Sequence, residues 1–243
     1  GAEEYEILET DEFVRTCRHH EEMGAHRFSI VTAGRTLAGK DFEWALKAYR
    51  KMGEECGRIR LCASHGLLTK EQFVALREAG VRRYHANIET SRRNFPNICT
   101  THTFEDKIAC IRAAKSAGLQ VCSGGIIGMG ETWEDRMDMA LTLAELEVDS
   151  IPLNALIPIA GTPFEELLPL TEEEILRTII IFRFLNPTAD IRLAAGRKLL
   201  TESGKNAFFA GANAAITGDM LTTSGSRTRQ DREMLTACGF DIG

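Results

Sequence analysis

Arg58-Ile59-Arg60-Leu61-Cys62-Ala63, Thr69-Lys70-Glu71-Gln72, Ala79-Gly80 and the segment Arg82 to Ile88 follow one another without a break, and this stretch decides the fold. A short apolar run comes first. A hydroxyl three residues ahead of an amide or carboxylate then marks a helix start, glycine marks its left-handed end, and a second apolar run follows. The same grammar recurs at Thr103-Phe104-Glu105-Asp106, Thr132-Trp133-Glu134-Asp135, Thr171-Glu172-Glu173-Glu174 and Ala117-Gly118. Strands are predicted at His26 to Thr32, Arg58 to Ala63, Arg82 to Ile88, Gln120 to Ile126, Ser150 to Ala155, Asp190 to Ala194 and Ala212 to Thr217. Strand, helix, strand with short connections requires parallel pairing through right-handed crossovers, and a repeat of about 30 residues is that of a β/α barrel. The expected fold is therefore α/β, a (β/α)8 TIM barrel in one domain spanning residues 1–243, with a doubly wound open sheet as the competitor. A helix predicted around Asp11 to Met23 precedes the first strand, so the first β unit is expected upstream of Gly1.

Composition narrows the function. The chain has 243 residues, 44% hydrophobic and 26% charged, which is ordinary for a globular domain. No run approaches the roughly 18 apolar residues of a membrane span, and the acidic opening after Gly1 is unlike a secretory signal. With 29 Lys and Arg against 35 Asp and Glu the net charge is -6, and the basic residues are scattered, so neither a membrane nor a nucleic acid is an expected partner. Bulk charge points to a small molecule. The cysteines, 7 in number, contain no C-x-x-C pair. That excludes a disulfide framework and a zinc ribbon, and it places the chain in a reducing, cytoplasmic compartment.

Parallel strands buried on both faces should be almost entirely apolar. Here Ser29, Cys62, Asn87 with Glu89, Cys122, Asn154 and Arg192 interrupt six successive strands. If all face inward they form a polar ring that needs a ligand, because an unpaired Arg, Asn or Glu inside a barrel costs several kcal/mol. Otherwise some face outward beneath the helices. Thiolates in such a ring select zinc, copper(I) or iron–sulfur clusters. The glycine-rich passage Gly124-Gly125-Ile126-Ile127-Gly128-Met129-Gly130-Glu131 matches neither the dinucleotide nor the Walker spacing, and so allows either close approach to a ligand or a tight turn. Leu221-Thr222-Thr223-Ser224-Gly225 reads as a hydroxyl-capped turn or an anion anchor. His19-His20 and His102 show no metal-type pairing, and neither paired carboxylates nor a nucleophile elbow is present.

Several long blocks together resemble the biotin synthase family: Tyr84 to Ser91, Cys122 to Glu131, Ser150 to Asn154, Gly161-Thr162-Pro163, Ile191-Arg192-Leu193 with Gly196-Arg197, Gly211-Ala212-Asn213 and Leu221-Thr222-Thr223. The resemblance covers nearly the whole chain. It implies a radical S-adenosylmethionine enzyme in which a 4Fe-4S cluster cleaves S-adenosylmethionine to a 5'-deoxyadenosyl radical. That radical removes hydrogen atoms from dethiobiotin, and an auxiliary cluster, 2Fe-2S or a variant of it, donates sulfur to make biotin. A flavodoxin or ferredoxin as electron donor and a homodimer are implied in the same way.

Carried over by position, Cys62 and Cys122 match auxiliary-cluster ligands, and Arg192 matches that cluster's arginine ligand. Ser29 stands where the family usually places a further cysteine, which leaves the cluster's full ligand set and composition open. Asn87 and Glu89 match the block that contacts substrate and the adenosyl ribose, where the family often has Asp for Glu. Ile126 and Ile157 match positions lining the adenine. Asn154, Thr222 and Thr223 match contacts to dethiobiotin, and Arg27 matches an arginine near the cluster, counted here among the substrate contacts. The family's C-x-x-x-C-x-x-C motif is absent, and the radical-cluster ligands are expected upstream of Gly1. The alternatives are a hydrogenase-maturase or methylating relative of the same group, and a barrel without catalytic chemistry.

Overall fold

The computed structural model of this chain describes residues 8–217 and 228–242. They fall into two compact units, one built from residues up to His85 with Ala113–Gln120, the other from Ala86–Arg112 and the residues from Val121 onward. In the first unit, β1 (Arg27–Val31), β2 (Arg60–Ser64) and β3 (Arg83–His85) pair side by side and parallel. In the second, β4 (Gln120–Cys122) and β5 (Gly125–Ile127) both pair with β6 (Ser150–Ala155). β6 pairs in turn with β7 (Asp190–Leu193) and β7 with β8 (Ala214–Ala215), all parallel. The helix expected around Asp11 spans Thr10–Glu22.

Local chemistry sets the helix ends as expected. The hydroxyls of Thr69, Thr103, Thr132 and Thr171 accept the amides of Gln72, Asp106, Asp135 and Glu174, whose side chains accept the threonine amides in return. Gly80 and Gly118 close helices at φ of 101° and 83°. The first unit packs Tyr49, Met52, Phe73, Leu76 and Tyr84 fully out of water. The second does the same with Ile88, Phe95, Ile111, Ile127, Met139, Leu143 and Phe182.

The segment Gln120 to Ile126, expected as one strand, is two. β4 pairs with Ser150 and β5 resumes opposite Leu153, so Pro152 lies across the gap. Proline has no amide to give to a ladder, and the pairing breaks where it would be needed. Glycine at the break is a matter of space: a Cβ on Gly124 would strike the Pro152 carbonyl, and one on Gly125 the Glu89 carbonyl and Met139 Sδ. The predicted strand Arg82 to Ile88 is likewise shorter. Beyond His85 the chain keeps contact with its neighbour through single bonds, Ala86 N to Cys122 O at 2.9 Å and Glu89 N to Gly124 O at 3.1 Å.

Candidate functional site

Residues in register on neighbouring parallel strands present side chains to the same face of a sheet. In the first unit Ser29 pairs with Cys62, and Cys62 with Arg83. Cys62 and Arg83 are buried, whereas Ser29 is exposed. Arg27, two residues before Ser29 on the same strand face, donates from Nη2 to Gln120 Oε1 at 3.1 Å. Burial lowers the pKa of its guanidinium, and the charge of Arg83 lowers it further, while the Cys62 thiol opposes both. The Arg27 guanidinium thus bears on both the Cys62 thiol and the charge of Arg83.

Behind Cys62 lies a polar network that the sequence did not announce. His65 is 1% exposed. Its Nδ1 is 3.1 Å from Thr32 Oγ1 and its Nε2 is 2.9 Å from the Tyr49 hydroxyl, which itself donates to the Cys62 carbonyl at 3.2 Å. Tyr49 has one proton to give, so it accepts from Nε2–H, and Nδ1 accepts from Thr32. This is a neutral imidazole, in keeping with burial that depresses its pKa to about 4. Tyr84 completes the support, accepting the His65 amide at 2.9 Å and donating to Gly66 O at 2.6 Å.

In the second unit the register puts Cys122 beside Ser150, Pro152 beside Arg192, and Ile126 beside Asn154. With the two-residue period along β6 and β7, these side chains share one face. Arg192 Nη1 donates to Cys122 Sγ at 3.3 Å, joining β7 to β4 across β6. Asn87 accepts the Gly124 amide at 3.1 Å and donates to Glu89 Oε2 at 3.4 Å. Asn154 donates to Gly125 O at 3.1 Å and accepts the Ala195 amide at 3.2 Å. Asn87, Glu89, Ile126 and Asn154 therefore gather around the Gly124-Gly125 break, each half-buried, and Cys122 with Arg192 lies on the same sheet face. Ile157 is half-buried in the loop after β6. Thr222 and Thr223 lie outside the described residues.

The arrangement suits a ligand with both apolar and polar edges. Oriented amides and a carboxylate offer hydrogen bonds, and the sulfur of a thiol held by a guanidinium is a soft donor of the kind that binds soft metal centres. The Ser150 hydroxyl, on the Cys122 row, is fully buried and has no hydrogen-bond partner among the described residues. Arg83 belongs with Cys62 and was missed in the sequence, although stepping back by two from Asn87 through His85 leads to it. Among the described residues, no three or more of His, Cys, Asp and Glu cluster as a metal site, and no helix is long and apolar enough to cross a membrane.

Comparison with known proteins shows the family and the fold. Residues 2–143 match the Radical SAM superfamily and residues 152–241 the Biotin and Thiamin Synthesis associated domain. The chain is 63% identical over 242 residues to a biotin synthase of Alkaliphilus metalliredigens, covering 100% of this chain and 76% of that one. It is 59% identical over 238 residues to a biotin synthase of Clostridium beijerinckii, covering 98% and 75%. Its fold is similar to that of methylornithine synthase, with a TM-score of 0.82 at 18% identity over 100% of this chain and 76% of the other. The FeFe-hydrogenase maturase of Carboxydothermus hydrogenoformans gives a TM-score of 0.76 at 15% identity over 97% and 59%. These two likenesses concern fold, and they place the chain in the α/β barrel class expected from its strand and helix order.

Proposed function

Because this chain belongs to the biotin synthase family of radical S-adenosylmethionine enzymes, we propose a division of labour among its residues in converting dethiobiotin to biotin. S-adenosylmethionine and the iron–sulfur clusters, when bound, supply the radical chemistry and the sulfur, and the protein supplies binding, orientation and exclusion of water. The observation that carries the assignment of the auxiliary cluster is the Arg192 guanidinium on the Cys122 thiol. Cys62, Cys122 and Arg192 are the ligands that the family resemblance implies for that cluster, and of these Arg192 and Cys122 meet within the second unit. The donor chemistry suits such a cluster: two buried thiols, one accepting from Arg192 and the other beside Arg27, offer soft sulfur. Ser29, a neutral hydroxyl, is a poor iron ligand, so the cluster is a 2Fe-2S centre or a variant with fewer protein thiolates. The radical-generating cluster is of the 4Fe-4S type. No described residue is assigned to it, and no step is derived through it.

Asn87 and Glu89 hold the adenosyl ribose, the carboxylate accepting its two hydroxyls. Ile126 and Ile157 cover the adenine. Asn154, fixed at both ends of its amide by Gly125 and Ala195, orients dethiobiotin together with Asn87. Thr222 and Thr223 take its carboxylate, and Arg27 adds positive charge at the cluster side. A flavodoxin or ferredoxin supplies electrons to a homodimeric enzyme in the cytoplasm.

Anaerobic reconstitution of the full-length protein, followed by mass spectrometry, tests the reading. Biotin formed from dethiobiotin and S-adenosylmethionine is the expected product. Abundant 5'-deoxyadenosine without sulfur insertion into dethiobiotin would overturn it.

A further inference from the structure

Glu89 has a φ of 67°, in the left-handed region where a glutamate is uncommon. The amide of Thr90 bonds to the carbonyl of Ile88 at 2.9 Å, so Glu89 is the centre of a γ-turn of the rare, strained hand. Such a conformation persists only where its surroundings over-determine it. On one side the surroundings are plain: Glu89 N donates to Gly124 O at 3.1 Å and Ile126 N to Glu89 O at 2.9 Å. The other side is anchored through side chains. Thr90 and Ser91 are 1% and 0% exposed. Asn94 donates to Thr90 Oγ1 at 3.1 Å, and its amide donates to Ser91 Oγ at 3.1 Å.

Ser91 Oγ donates in turn to Asp135 Oδ1 at 2.6 Å, on the helix Trp133–Glu145 that follows the glycine-rich passage. Asp135 is buried, and its carboxylate also accepts Arg93 Nε at 3.0 Å, the Thr132 amide at 2.9 Å and the Thr132 hydroxyl at 3.0 Å. Burial alone would raise its pKa. The bonds from Ser91, Thr132 and Arg93 outweigh that and hold it down to about 2, so it is a carboxylate at any working pH. One ionised group thus ties the exit of the strained turn to the start of the helix.

We propose that Asp135, acting through Ser91, is a positioning residue that holds the Glu89 γ-turn and thereby sets the enzyme's discrimination for the ribose hydroxyls of its adenosyl ligand. The proposal rests on the assignment of Glu89 to the ribose. A shortened or neutralised anchor lets the turn relax toward an ordinary backbone, and the carboxylate leaves the position from which it accepts two hydroxyls. Ile157, assigned to the adenine, lies in the loop after β6 and outside that turn, so part of the adenosyl site does not depend on it. Discrimination falls while general binding of the adenosyl group persists.

The test uses the reconstituted full-length holoenzyme and two probes, S-adenosylhomocysteine and its 2'-deoxyribose analogue, with affinities measured by equilibrium dialysis. Ser91→Ala and Asp135→Asn are each expected to weaken S-adenosylhomocysteine about tenfold, the worth of one charge-assisted hydrogen bond, and to leave the analogue nearly unchanged. The double variant is expected to be no worse than the poorer single one. Thr171→Ala, which removes a helix cap elsewhere in the same unit, lowers thermal stability and leaves the affinity ratio intact. If Glu89→Ala abolishes the ratio while Ser91→Ala and Asp135→Asn preserve it, the positioning role is wrong. If Glu89→Ala preserves it, the ribose assignment itself is wrong. Equal weakening of both probes in the Ser91 and Asp135 variants would show a general structural role and overturn the proposal.

Discussion

Arg192 Nη1 stands 3.3 Å from Cys122 Sγ, and the two residues belong to strands separated by β6. A guanidinium cannot give up its charge, so it stands as a fixed donor to the sulfur at every working pH. Arg192→Met should lower iron retention by the auxiliary site about 10- to 100-fold, the usual effect of losing such support. Cys122→Ala should remove the site's absorbance. Both are read by iron analysis and visible spectroscopy of the reconstituted full-length protein, in which the radical cluster serves as the internal control.

The buried imidazole of His65 makes stability depend on acid. Its folded pKa of about 4 lies below the ordinary 6.5, so the unfolded chain binds the extra proton more readily. The contribution is fully present above about pH 6.5 and is lost as pH falls toward 4, amounting to about 3 kcal/mol across the window. Urea midpoints of the wild type should drop through this range, and those of His65→Gln should fall less steeply.

Two glycines should respond to alanine with opposite signs. In Gly125→Ala the new methyl meets the Glu89 carbonyl and Met139 Sδ, for a loss of about 1–3 kcal/mol by overpacking. Gly53 sits within the helix Gly39–Glu55 with open space around it, and Gly53→Ala should add about 0.5–1 kcal/mol. Thermal melts of the two variants under one buffer decide the matter.

The pair Arg197–Asp231 fastens the helix Thr228–Ala237 through two bonds of 2.8 and 2.9 Å, and Arg197 also donates to Ser203 O at 2.7 Å. Both side chains are at most 10% exposed. Arg197→Met or Asp231→Leu alone should cost about 3–5 kcal/mol by leaving one charge buried, and the two together should cost less than their sum. A double-mutant cycle on unfolding free energies measures the coupling.

Most of the fold was legible because its signals are local. Thr69, Thr103, Thr132 and Thr171 cap the helices that their spacing implied, and all seven predicted strand positions hold strands. The division of Gln120 to Ile126 was not legible, because it depends on Pro152 in the next strand and on the Glu89 carbonyl. Both are distant in sequence. Glutamate carries no mark of a left-handed turn, so the strain at Glu89 was equally hidden. The polar ring was visible as residues out of place in strands, yet Arg83 escaped notice because it stands among other charged residues at a strand start. The Asp135 carboxylate was read correctly as a helix cap, and its second bond, to Ser91, needed three dimensions.

The interruption opposite Pro152 has a bearing on how this chain can vary. A parallel strand that slips by one residue turns every side chain to the opposite side. Here slippage is blocked, because only Gly124 and Gly125 fit where they lie and no amide is offered at Pro152. A single-residue insertion or deletion between Cys122 and Ile126 would send the thiol to the back of the sheet. Length in this stretch is therefore held as tightly as the two glycines, and natural variants should exchange the residues flanking them far more readily than they gain or lose one.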